Sequence, residues 1–281
     1  MKHRYALGID IGGSGIKGAI VDLKKGEFTR DRLRIPTPQP ATPEAVAEVV
    51  KQIADHFADD LADGPIGITV PAVVTHGYTR SAANIDPTWV DAPAEQIFER
   101  ALGRPITLVN DADAAGIAEV LWGAAKDHPG LVIVTTLGTG IGTALIHKGT
   151  LIPNIELGHF EMFGADAEPQ AAASVKDREK LSYQEWATTR LQPYYERLEF
   201  YTWPDLIVVG GGVSRDSEKF LPLLKLNTPI VPAVLRNQAG IVGAAWLAVD
   251  ALTNPDELKG KEAGKPGEGD KAAKGGKKKK G

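Results

Sequence analysis

The chain has 281 residues, 43% apolar and 24% charged, with a net charge of −4 and no cysteine. That length supports one large domain or two ordinary ones, and the composition is that of a globular protein. Disulfides, thiolate metal sites and cysteine nucleophiles are excluded, and no apolar run reaches the roughly 18 residues of a membrane span.

The net charge hides a split: nine lysines and five acids lie from Asn254 onward, which leaves −8 on residues 1–253. An acidic body argues against nucleic acid as the partner. The start, MKHRYALGIDIGG, passes into a strand pattern without the apolar core of a leader, and this suits the cytoplasm.

Leu7 to Asp22, LGIDIGGSGIKGAIVD, sets two apolar runs around a Gly-Gly-Ser-Gly turn. No helical stripe follows the turn, so it is neither a P-loop nor a dinucleotide fingerprint, both of which open a helix. Backbone N–H groups in such a turn can approach a phosphate, with Asp10 at the mouth and Lys17 to neutralise charge. A tight hairpin without a ligand has the same pattern. Phe28 to Leu33 reads as a third strand. Thr42 then caps a helix with Pro43 in its first turn and apolar spacing from Val46 to Leu61.

Gly64-Pro65 ends that helix, and IGITV is a short buried strand stopping at Pro71. The turn-rich stretch to Pro93 holds SAANIDPTW, in which Asn84, Asp86 and Trp89 either line a polar pocket or form a loop anchored by one tryptophan. A short helix spans Ala94 to Leu102. ITLV is a strand running into Asn110-Asp111-Ala112-Asp113, and the alanine-rich AAGIAEVLWGAA is helical. Asp111 therefore stands where a strand becomes a helix, where the helix dipole favours its charged form and lowers its pKa. Asp111 or Asp113 serving only as a helix cap is the plainer alternative.

LVIVTTLGTGIGTALIHKG repeats the opening design about 125 residues later, which points to an internal duplication. Two such halves would offer facing phosphate-binding turns across a cleft. In IELGHFEMF, Glu156, His159 and Glu161 gather ligand types that suit either a metal or several sugar hydroxyls. Ser182 and Glu185 form a capping box for a helix kinked at Pro193. DLIVVGGGVS is a strand ending in three glycines, with Ser214 placed to cap a helix through Leu224. TPIVPAVL is a last strand, and AGIVGAAWLAVDAL a small-residue helix suited to close packing. From Asn254 the chain is too poor in apolar residues to fold and reads as a disordered tail.

DIGGSGIKGAIVD, NDAD, LGTGIG, ELGH and VVGGGVS, in this order, resemble the ROK sugar kinases. SAANIDPTW, ELGHFEMFGADAEPQAAASVKDREKLSYQEW and NQAGIVGAAW are most similar to the polyphosphate glucokinases among them. The resemblance spans about residues 5–250. It implies an actin-like, ribonuclease-H-like α/β fold of two domains with a cleft between them. The first domain would comprise residues 1–109 together with about 240–253, from a last helix that crosses back; the second would comprise 110–239.

The resemblance also implies Mg²⁺-dependent transfer of a terminal phosphoryl group from inorganic polyphosphate, with ATP as a possible second donor, to the 6-hydroxyl of glucose or mannose, by a homodimer. Asp111 matches the general base. Asn110, Glu156 and His159 match sugar-binding residues, and Glu168 matches a third acidic one across a segment that differs; Asn84 belongs with the substrate group. Asp10, Gly12, Gly13, Ser14 and Lys17 match the first phosphate motif, with Ser14 where threonine is commoner. Gly138, Thr139, Gly140 and Gly142 match the second, and Gly211 and Gly212 complete the donor site. Asp10 would hold Mg²⁺, directly or through water. Many relatives carry a cysteine-rich zinc motif after the histidine of ELGH; this chain has none, so packing or the sugar must order that loop.

The glycine turns suit ATP as well as polyphosphate, so an ATP-only hexokinase is the alternative. A longer anion wants a basic track, for which Lys148, Lys176, Arg178, Lys180, Arg215 and Lys219 are candidates. A sugar-responsive repressor of the same family would need a DNA-binding domain ahead of the first strand, which here begins at Tyr5.

Overall fold

Two sheets with the same strand order form the frame of the computed structural model, which describes residues 3–82 and 85–254. In the first sheet, β1 (Tyr5–Gly12) and β2 (Gly15–Asp22) form the opening hairpin. The short strands β3 (Glu27–Phe28) and β4 (Leu33–Ile35) both pair with β2. β5 (Ile66–Val70) and β6 (Thr107–Asn110) extend the other side in parallel, giving the order β3-β2-β1-β5-β6. In the second, β7 (Leu131–Leu137), β8 (Ile141–His147), β9 (Thr150–Ile152), β10 (Leu206–Gly210) and β11 (Ile230–Pro232) run β9-β8-β7-β10-β11. Again β7 and β8 form an antiparallel hairpin while β7, β10 and β11 are parallel. The repetition read in the two glycine hairpins extends to whole sheets.

Alternation along each strand decides what faces where. Leu7, Ile9 and Ile11 join Ile68, Val70, Trp89 and Phe98 in one core, covered by α1 (Pro43–His56) and α2 (Ala94–Leu102). The intervening positions Gly8 and Asp10 turn to the opposite face, where α5 (Ala239–Thr253) lies along β1 and β5. On the second sheet, α3 (Asp111–Trp122) covers β7 and β8 and packs against α5. The molecule is thus layered as sheet, helix, helix, sheet. Each of these helices starts beside the glycine turns, so both N-termini open on the space between the sheets. This is the actin-like arrangement that the resemblance implies.

Small residues let α5 pack closely against both β5 and α3. A Cβ added to Gly67 of β5 would lie 1.9 Å from the carbonyl oxygen of Ala244, and one on Gly243 would lie 1.8 Å from that of Ala114. Backbones in direct contact leave no room for a methyl group.

Several local expectations change. The first helix stops at His56 and Ala58–Leu61 is a separate turn, because Phe57 leaves helical geometry between them. The third strand is two short pieces, 27–28 and 33–35. The Ser182–Glu185 capping box is present, and the helix it opens passes through a π-turn at Ala187–Leu191 into α4 (Gln192–Thr202), which takes Pro193 at its start. The helix expected after β10 is instead two 3₁₀ segments, Gly212–Lys219 and Leu221–Leu223. There Ser214 Oγ donates to the Gly211 carbonyl at 2.8 Å, Asp216 leaves helical geometry, and Pro222 lacks the N–H that a longer helix needs. Among the described residues no helix is long and apolar enough to cross a membrane. The lysine-rich segment from residue 255 lies outside the described residues.

Candidate active site

Strand register builds the first half of the site. Asp10 pairs with Lys17 on β2 and with Thr69 on β5. Thr69 Oγ1 donates to Asp10 Oδ1 at 3.0 Å, and Lys17 Nζ stands 3.4 Å from Oδ2. The start of α5 closes in from above: a Cβ on Gly240 would sit 3.2 Å from Asp10 Oδ1. Beyond Asp10, Thr37 Oγ1 donates to the Gly12 carbonyl at 2.5 Å and Arg34 Nη2 to that of Ser14 at 2.9 Å, which fixes the turn.

Asn110, rather than either aspartate, caps α3. Its Oδ1 accepts from the N–H groups of Ala112 at 2.8 Å and Asp113 at 3.0 Å, while its Nδ2 donates to the Ala72 carbonyl at 3.2 Å. With the cap position filled, Asp111 is left to face the cleft. Burial, then the charge of Asp10, and also that of Glu156, raise its pKa to about 7 against the pull of the Ala112 N–H. The lowering expected from the helix dipole is overturned, because desolvation and two neighbouring carboxylates outweigh one N-terminal turn. Asp113 is 2% exposed, accepts from Asn154 N at 2.8 Å, and is pushed by burial to about 7 as well.

The second glycine turn is held from below. Gly138 N donates to the Gly140 carbonyl at 3.0 Å, and Ser174 donates through its Oγ to the Thr139 carbonyl at 2.7 Å. Glu168 Oε2 accepts from Ile141 N at 2.8 Å, tying the acidic loop to this turn. Glu156 is raised by burial, with His159 opposing and Glu168 assisting. His159 Nδ1 lies 2.9 Å from Asp166 Oδ2; a carboxylate only accepts, so Nδ1 carries the proton and Nε2 stays available. Desolvation lowers the pKa of His159, but the hydrogen bond and charge of Asp166, with Glu168 and Glu156, leave it raised. Asp166 thus supplies the anchoring that no cysteine site gives this loop.

These parts line one open cleft of about 430 Å³. It brings together the carboxylates of Asp10, Asp111, Glu156 and Glu168 with Asn110 and His159. The backbone of Gly12, Gly13, Gly138, Thr139, Gly140, Gly142 and Gly211 completes its walls. Lys17 lines an adjoining chamber of about 170 Å³ that shares Asp10, Asp111 and Gly211 with the cleft. Ser14 and Gly212 line neither, and Asn84 lies outside the described residues. Asp86 caps a short 3₁₀ turn through Thr88 N, and Trp89 is fully buried with its Nε1 donating to the Ala41 carbonyl, so the loop reading holds for both. Glu161 accepts from Gly164 N and stays out of the cleft. The sequence reading missed Thr69, Ser81 and Thr136; for Thr69 the signal was its alternation within IGITV, which puts it on the face of Asp10.

Among the described residues no three histidines or acids are gathered as a metal cage. Magnesium, however, is held by one or two carboxylates with waters and phosphate oxygens. Asp10 suits that use, since Thr69 fixes one oxygen and Lys17 is no closer than 3.4 Å to the other.

The sequence matches the ROK family over residues 6–171. It is 50% identical over 253 residues to the polyphosphate glucokinase of Mycobacterium tuberculosis, spanning 90% of this chain and 94% of that protein. The crystal structure of the inorganic polyphosphate/ATP-glucomannokinase of Arthrobacter sp. strain KM superposes with a TM-score of 0.84 at 49% identity, covering 88% of this chain and 99% of that one. A ROK family glucokinase from Streptomyces griseus, crystallised with glucose and AMPPNP, shares the fold with a TM-score of 0.71 at 24% identity over 88% of this chain and 99% of its own.

Proposed function

The chain belongs to the ROK family, and on that premise we propose that it is a polyphosphate glucokinase. It transfers the terminal phosphoryl group of inorganic polyphosphate, with ATP as a second donor, to the 6-hydroxyl of glucose, with mannose as a second acceptor. The observation that carries the reading is Asp111, a carboxylate on the cleft floor between two glycine turns, with a pKa of about 7. A base of that strength ionises at working pH yet still attracts a hydroxyl proton.

Phosphoryl transfer asks mainly for positioning and charge stabilisation. Asp111 orients the 6-hydroxyl and takes its proton as the sugar oxygen bonds to the terminal phosphorus. The bond from that phosphorus to the bridging oxygen breaks, and a donor one phosphate shorter leaves. Glu156, His159, Asn110 and Glu168 hydrogen-bond the remaining sugar hydroxyls. N–H groups of the turns at Gly12–Gly13 and Gly138–Gly142 hold the donor phosphates, with the N-termini of α3 and α5 adding favourable potential. Asp10 would hold Mg²⁺, which when bound would supply positive charge to offset that of the phosphoryl group. Residues 3–109 with 240–253, and residues 110–239, act as the two bodies that close on the sugar and exclude water.

A cytoplasmic location and a homodimer belong to the same reading. For the dimer the support is an exposed aromatic surface of Phe163, Phe200 and Tyr201, which line one shallow depression and are each at least 58% exposed.

The test is a matrix of donors against hexoses with purified protein, together with Asp111→Asn. Activity with long-chain polyphosphate and glucose is expected, with kcat falling at least about 100-fold in the variant. A variant keeping a tenth of kcat removes Asp111 as the base. Activity with ATP and none with polyphosphate replaces the donor.

A further inference from the structure

We propose that the donor cleft continues into an arginine-lined groove that holds the trailing phosphates of a long polyphosphate chain. The proposal rests on polyphosphate being the donor and assigns the residues beyond the reacting end.

Three spaces join end to end. The cleft shares Asp10, Asp111, Thr136 and Gly211 with the Lys17 chamber. That chamber shares Ala233, Arg236 and Asn237 with an open groove of about 930 Å³. One wall of the groove comes from the segment between β3 and β4, the other from the 3₁₀ segment after β10 and the turn after β11. The path therefore runs from the proposed reacting site, past Lys17, out between the two halves of the molecule.

Four arginines, Arg30, Arg32, Arg215 and Arg236, line the groove against two acids, Asp31 and Glu218. Arg30 is taken up by Asp60 at 2.6 Å. Among the described residues the other three have no carboxylate within ion-pair distance. Each has a place of its own. Arg32 Nη1 donates to the Asn237 carbonyl at 3.4 Å and Arg215 Nε to that of Gly212 at 3.2 Å, which leaves further N–H groups of each fork unused. Arg236 sits at φ +51° on a turn whose two preceding N–H groups, from Val234 and Leu235, are held by the Glu119 carboxylate at 3.1 and 2.7 Å. That carboxylate is occupied by backbone N–H groups and makes no ion pair with the Arg236 guanidinium.

An extended chain with a negative charge on every unit matches a file of guanidinium groups, which bind phosphate oxygens bidentately. Of the basic residues that the sequence offered for such a track, only Arg215 lies here. Lys176, Arg178 and Lys219 pair with Asp177, Glu179 and Asp216 on the surface.

The test compares the triple variant Arg32→Gln, Arg215→Gln, Arg236→Gln with the wild-type chain, using glucose as acceptor and either long-chain polyphosphate or ATP as donor. With long-chain polyphosphate, kcat/KM is expected to fall about tenfold or more, as losing three exposed ion contacts implies, and its dependence on salt to become shallower. With ATP, whose three phosphates are a far shorter anion, the fall is expected to be clearly smaller, with an unchanged melting temperature. An undiminished rate with polyphosphate, or an equal loss with both donors, overturns the groove while leaving the donor intact. A wild-type chain inactive with polyphosphate but active with ATP removes the donor reading, and the groove with it.

Discussion

Asp10, on β1, and Asp111, at the start of α3 just beyond the end of β6 in the same sheet, meet at the floor of the cleft, and after burial the charge of Asp10 is what most raises the pKa of Asp111. One carboxylate suited to a metal thereby tunes another suited to a proton. One is carried by a strand and the other by the first turn of a helix far along the chain, so the relation exists only once α3 is packed in place.

The pH profile follows from that pair. Asp111 works ionised, so kcat/KM should rise with pH and level off above an apparent pKa near 7, the value the free protein gives it. Glu156 also raises Asp111, so Glu156→Gln should move the midpoint to lower pH while reducing glucose affinity. A profile flat from pH 5 to 9 would contradict the role.

The same shift governs stability. Folded Asp111 binds its proton up to about pH 7, whereas the unfolded chain releases it near 3.8. Between those values the folded state holds more protons, so stability falls as pH rises through the window, and the cost is fully present above 7. Asp111→Asn removes it, and the variant should be more stable than wild type at pH 8 by about 4 kcal/mol, at about 1.4 kcal/mol for each pH unit between 3.8 and about 7. That corresponds to a melting temperature several degrees higher. At pH 4 the two proteins should melt together. Thermal scans at both pH values decide it, and a variant less stable at pH 8 would refute the shift.

Asp166 should matter for sugar rather than donor. It holds the His159 imidazole at 2.9 Å without touching the glycine turns. Asp166→Ala is expected to raise KM for glucose about tenfold, the scale on which orienting partners of a histidine act, with KM for the donor unchanged. Steady-state kinetics with each substrate varied separate the two, and Asp166→Glu should restore part of the loss.

The seam between β5 and α5 should tolerate no side chain at Gly67. The Cβ of Gly67→Ala would stand 1.9 Å from the Ala244 carbonyl oxygen. Overpacking costs about 1–3 kcal/mol when neighbours can yield; here the neighbour is backbone, so the upper end or beyond is expected. Urea denaturation measures it, and a change below about 0.5 kcal/mol would mean that the helix slides freely.

The elements most visible in sequence were those whose reason is local. Two apolar runs around a glycine turn can only be hairpins, and both are. The capping box at Ser182 and the Thr42–Pro43 start also depend on neighbours within one turn, and both stand. The segment after β10 failed because Ser214 and the glycines before it look like a helix start, while Asp216 and Pro222 decide against one. For Trp89 local sequence left a pocket wall and a loop anchor both open, and α1 and α2 packing around it decide for the anchor.

Sequence alone determined the paired halves, the order of their strands and helices, and the ionisable residues gathered at the turns, because hydrophobic periodicity and glycine placement act over a few residues. It could not determine the proton affinity of Asp111, which local reasoning placed low and burial with Asp10 raises to about 7. Nor could it single out Arg32, Arg215 and Arg236, which stand far apart in the chain and share one groove. Electric fields and grooves depend on distance in space, and only the packing of α3 against α5 sets those distances.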